Sequence, residues 1–104
     1  MIFKKKLNRK GLKQKKHYTI EEKLQYHSNR TKDLKNYKLG SPANSYSYGF
    51  VEAFRGYNNE YGTREEFGEN AGNAYALGHA HGKKAIREYY KKTGKQAFKL
   101  GMKY

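Results

Sequence analysis

From Phe67 to Tyr89 a single helical register persists for about six turns. Phe67, Ala71, Ala74, Tyr75, Gly78, Gly82, Ala85, Ile86 and Tyr89 carry it, recurring at the spacing of one helix face. Gly68, Gly72, Gly78 and Gly82 lie within the same stretch. A glycine inside a helix costs up to about 1 kcal/mol relative to alanine. Together the four cost roughly 3–4 kcal/mol, a large part of what holds a small domain folded. A chain offsets that only if the missing Cβ atoms let another element approach closely. The small residues form two sets, Gly68–Gly72–Ala76 and Ala71–Gly78–Gly82, either of which suits a second helix.

A partner helix is legible upstream. Ser41 is a good N-cap and Pro42 suits the first helical position. Tyr46, Phe50, Ala53, Phe54 and Tyr57 then share one face, so the spacing predicts a helix over about 43–57. Large aromatics on this helix are expected to lie over small residues on the other. The packing set is therefore Tyr46, Phe50, Phe54, Tyr57, Phe67, Gly72, Tyr75, Gly78, Gly82 and Tyr89. The same glycine-lined faces also suit a homodimer.

The remaining signals are local. Thr19-Ile20-Glu21-Glu22 has the capping-box spacing and opens a short helix over about 20–29, with Gly40 closing the segment. Leu34 and Tyr37 extend that helix or form a further turn. Asn58, Asn59 and Gly62 read as a turn. Thr63-Arg64-Glu65-Glu66 repeats the capping box and is expected to start the long helix, which Thr93-Gly94 ends. The expected fold is all-α: a small helical hairpin or bundle of three to four helices with a disordered basic N-terminal arm. Its parts are a flexible arm over 1–17, a short helical segment over 18–40, a hairpin core over 41–94 and a basic tail over 95–104.

Charge follows the same division. The chain holds 23 Lys and Arg against 9 Asp and Glu, a formal charge of +14 in 104 residues. Residues 1–40 carry +10, residues 41–82 carry −3 and residues 83–104 carry +7. Leu, Ile, Val and Phe number only 16, a share typical of disordered chains when averaged. The average misleads, because Phe50, Val51, Phe54, Phe67, Leu77 and Ile86 fall with seven tyrosines between Tyr46 and Tyr90. That window can form a core, whereas Phe3, Leu7 and Leu12 of the first sixteen residues are too isolated to pack by themselves; Gln96, Ala97, Phe98 and Leu100 are expected to form a final turn or a docking tail.

Cationic ends point to a polyanion. Lys4, Lys5, Lys6, Arg9, Lys10, Lys13, Lys15 and Lys16 form a run able to follow a phosphate backbone, and Lys84, Arg87 and Lys91 fall on one face of the long helix. Neutralising phosphates releases condensed counterions and confers affinity without sequence reading. Lysine outnumbers arginine, which favours phosphate contact over bidentate recognition of bases. Tyr18, Tyr26, Tyr37, Tyr90 and Tyr104 interleave with the cations and could stack on unpaired bases. The expected function is thus nucleic-acid binding, RNA or DNA, through phosphate contacts and without strong sequence specificity.

The alternative is an interaction protein. Short Lys- and Tyr-rich chains without catalytic signatures are common among phage and mobile-element products. Such a chain would bind or inhibit a host protein or nucleoprotein complex, a defence nuclease for example, or form a subunit of a ribonucleoprotein or virion. The tyrosine and glycine faces would then carry the affinity.

No enzyme is expected. His79 and His81 resemble two metal ligands, but on a helix they point about 200° apart and no third ligand supports them. His17 and His27 would suit an acid–base pair, yet nothing orients them. Glu21-Glu22 and Glu65-Glu66 are explained as first-turn acids. The glycines match no phosphate-binding loop, since no strand precedes them. Neither a cofactor nor a metal is expected. Cysteine is absent, which excludes a disulfide framework. No apolar run approaches the ~18 residues of a membrane span and no secretory core follows Met1, so the expectation is a cytoplasmic, non-secreted protein without a membrane partner.

Overall fold

The computed structural model describes residues 18–95 and Leu100. It is all-helical among these residues, with α1 over Ile20–Lys32, α2 over Pro42–Arg55, α3 over Glu60–Phe67 and α4 over Glu69–Thr93. The expected arm, 1–17, and most of the expected tail lie outside the described residues.

The caps behave as the local sequence requires. Thr19 Oγ1 accepts from the Glu22 N–H at 3.0 Å and Glu22 Oε1 accepts from the Thr19 N–H at 2.9 Å, closing a complete capping box. Ile20, Leu24 and Ser28 of α1 then point inward, one turn apart. Ser41 Oγ accepts from the Asn44 N–H at 3.2 Å, with Pro42 in the first turn. Gly94, in the left-handed region at φ 71°, closes α4.

Helix α2 is the centre of the fold, with both α1 and α4 packed against it. Against α4 the approach is backbone to backbone. A Cβ on Gly78 would fall 2.8 Å from the Tyr46 carbonyl carbon and closer still to its oxygen. One on Gly82 would fall 2.7 Å from both Phe50 O and Ala53 Cβ. The notch is cut from both sides: a Cβ on Gly49, in α2, would lie 2.9 Å from His79 N. Tyr46 over Gly78 and Phe50 over Gly82 step forward together, so the two helices cross in the same sense. Close packing at Gly78 and Gly82 is therefore as expected, but carbonyl groups and Ala53 occupy the space, not aromatic rings. Because that packing is internal, these two glycines are not a surface for a second copy.

Elsewhere the expectation needs correcting. The long helix does not begin at Thr63. Thr63 lies inside α3, whose N-cap is Asn59, and Glu65-Glu66 fall in its second turn. The chain breaks at Gly68, where φ is 101°; this region strongly favours glycine. Apolar spacing runs across the break, which is why a single helix was expected. The break removes Phe67 from the face of α4. Its ring instead lies over Gly40, and the residue is 38% exposed. Gly72 is buried, but beneath the Arg64 side chain and not beneath α2. Tyr57 lies beyond the end of α2, 57% exposed. Gly56, at φ 81°, terminates the helix before it.

Phe50, Phe54 and Tyr75 are buried as expected, Tyr89 packs against the core, and Tyr46 is half-buried. The main apolar cluster joins Ile20 and Leu24 of α1, Phe50, Val51 and Phe54 of α2, Ala85 of α4, and Leu100.

Candidate functional site

This cluster positions the charge. Ile86 and Tyr89 pack against the core that also holds Ile20, which fixes the inward face of the second half of α4. The eight basic residues from Lys4 to Lys16 precede Tyr18 in the sequence and lie outside the described residues.

On α4, Lys84, Arg87 and Lys91 are all exposed and lie opposite buried Gly82 and Ala85. Among the described residues no carboxylate holds any of the three. Lys83, Lys92 and Lys95 are exposed beside them, and Glu88 is the acidic side chain of this half-helix. The sequence reading overlooked Lys83 and Lys95. Their signal was present: Lys83, Arg87, Lys91 and Lys95 follow one another at i+4 and form a ridge, although Lys95 falls just past Gly94.

The first turn of α4 and the helix before it are acidic. Glu60, Glu65 and Glu66 lie on α3 and Glu69 opens α4. Arg64 clamps the two helices together, donating to Glu60, to Glu69 at 2.9 Å and to Asn73 at 2.9 Å. About 33 Å of helix axis separates Glu69 from Lys91. Helix α4 therefore carries opposite charge at its two ends.

The titratable groups between these ends serve the fold. His79 is buried, and its Nε2–H donates to the Tyr57 carbonyl at 2.7 Å. His81 hydrogen-bonds the Tyr46 hydroxyl on the surface. The two histidines thus serve separate partners, and no group of three metal-ligating side chains exists among the described residues. His27 Nδ1 pairs with Ser47 Oγ at 2.9 Å, and its ring packs on Tyr46 and Phe50. Burial, helped by Arg30 and Lys23, pushes its pKa down to about 4, so it is neutral at pH 7. His17 lies outside the described residues. A cavity of about 160 Å³ between α2 and α3 is lined by Asn44, Ser45, Tyr48, Glu52 and Tyr75. Glu52 accepts there from the Tyr75 hydroxyl and from Asn59 Nδ2.

The tyrosines also separate into roles. Tyr26 and Tyr37 take the Arg30 guanidinium against their rings at 5.3 and 4.9 Å, a structural use of residues expected to contact bases. Tyr48 Oη donates to the Thr31 carbonyl. Tyr90 is exposed on the basic half of α4, while Tyr57 and Tyr61 are exposed near the acidic end. Tyr104 lies outside the described residues.

No helix among the described residues is long and apolar enough to cross a membrane. No protein-family model, curated protein or solved structure matches this chain.

Proposed function

We propose that this protein binds nucleic acid by phosphate contact, without strong sequence specificity and without catalysis. The observation that carries the reading is the exposed cationic face of α4, where Lys84, Arg87 and Lys91 are held by no carboxylate among the described residues. Such a face would steer the protein toward a polyanion before contact. Lys84 to Lys91 spans about 10 Å of axis, the rise of about three nucleotides of one strand.

The test is a salt series. Affinity for a labelled duplex oligonucleotide should fall with log salt by about 0.9 per phosphate neutralised. Replacing Lys84, Arg87 and Lys91 together by Gln should flatten that slope by about 2 to 3. A flat slope in the parent protein, or no binding in low salt, refutes the proposal.

A second reading has its own observation. Tyr57 and Tyr61 are exposed beside Glu60, Glu65 and Glu66, an acidic aromatic surface suited to a protein or nucleoprotein partner. Under that reading the Lys84/Arg87/Lys91 replacement leaves partner binding intact, and Tyr61→Ala weakens it.

A further inference from the structure

We infer that the basic face of α4 takes single-stranded nucleic acid, with Tyr90 as the platform on which one base stacks. The inference rests on the phosphate-binding reading above and adds the form of the ligand and the residue that selects it.

The described tyrosines other than Tyr90 are engaged elsewhere or lie away from the cations. Tyr75 is 1% exposed and Tyr89 packs on the core. Tyr46 is tied to His81, and Tyr26 and Tyr37 are occupied by Arg30. Tyr48 bonds the Thr31 carbonyl. Tyr57 and Tyr61 are exposed near the carboxylates of α3, where a phosphate chain would be repelled. Tyr18 has partners of its own. Tyr90 is different. It is 53% exposed and meets no other ring or guanidinium among the described residues. It lies three residues past Arg87 and seven past Lys83, hence on the flank of the cationic ridge.

An aromatic face beside a track of cations is the arrangement that single-strand binders use. The cations follow the backbone and the ring takes an unpaired base, whatever its identity. In a duplex both faces of every internal base are already stacked, so the exposed Tyr90 ring adds nothing there. Lysine-rich contact alone would not distinguish the two forms.

The experiment uses the full chain and three probes of equal phosphate number: oligothymidylate, the same oligomer with abasic residues, and a duplex. The parent should bind oligothymidylate about 5- to 100-fold more tightly than the abasic oligomer, the effect of one stacked base. Tyr90→Ala should erase that preference and leave abasic and duplex binding unchanged. Tyr90→Phe should keep it, since stacking needs the ring and not the hydroxyl. Far-UV circular dichroism checks that both variants stay folded, as an exposed position allows. Equal affinity for oligothymidylate and the abasic oligomer in the parent overturns the inference, while salt-dependent binding of both upholds the phosphate reading. A base preference that survives Tyr90→Ala also overturns it. Failure of all three probes to bind in low salt refutes both.

Discussion

Replacing Gly78 by Ala tests the packing of α2 on α4 most directly. In an open helix this change should stabilise, by up to about 1 kcal/mol, because Ala has the higher helix propensity. Gly62 is the internal reference. It lies within α3, and a Cβ there would meet nothing within 4 Å. At Gly78 the new methyl would fall 2.8 Å from the Tyr46 carbonyl carbon and nearer to the oxygen, against a comfortable separation of about 3.5–4.0 Å. The obstacle is backbone, so no rotamer change relieves it. Helix α2 must move away by ~0.7 Å or more, loosening the burial of Phe50 and Phe54. Overpacking of this kind costs about 1–3 kcal/mol, and here the forced separation of two backbones places it at the upper end. The expected net result is a loss of about 1–2 kcal/mol for Gly78→Ala against a gain of up to about 1 for Gly62→Ala. Urea unfolding followed by far-UV circular dichroism, with unchanged m-values, reads both. At about 4–8 °C per kcal/mol, Tm should fall by roughly 5–15 °C for the first variant and rise for the second. If Gly78→Ala raises stability as Gly62→Ala does, the close approach is wrong.

The other expectations concern polar groups. Burial holds the folded-state pKa of His27 at about 4, below its ordinary 6.5. The unfolded chain therefore takes the proton first, and the stability contributed by the neutral ring is present above pH 6.5 and lost as pH falls toward 4. His27→Gln should remove that component from urea midpoints measured across this window. Burial and the hydrogen bond to Glu52 raise the Tyr75 pKa, so stability should decline above pH 10, where only the unfolded phenol ionises. Tyr75→Phe should abolish the Tyr75 share of that decline. At neutral pH it should cost about 1–2 kcal/mol in denaturant unfolding, since Asn59 N–H and Glu52 lose their hydroxyl partner. Ser41→Ala removes the cap of α2 and should lower stability by about 1 kcal/mol, visible as a shift of the urea midpoint without a change in slope.

Much of the architecture was legible in local chemistry. Thr19, Ser41 with Pro42, and Gly94 mark helix ends because capping involves neighbours in sequence, and all three are used as their residue types require. The need for close packing at Gly78 and Gly82 followed from the cost of glycine in a helix. Gly68 shows where such reasoning fails. Its neighbours keep helical spacing on both sides, yet its φ of 101° splits the stretch into α3 and α4. Glycine accommodates either conformation, so the choice passes to side-chain contacts around the break. One of these is Arg64 over Gly72, and another is Phe67 over Gly40.

The sequence by itself determined that this protein is helical, where most of its helices are capped, and that cations are concentrated toward its ends. These properties depend on residue type and on spacing within a few turns. Only the tertiary structure decided which groups occupy the glycine notches, and that Ile20, Phe54, Ala85 and Leu100 share one core. Apolar burial is non-directional, so periodicity identifies a buried face without specifying the face that covers it.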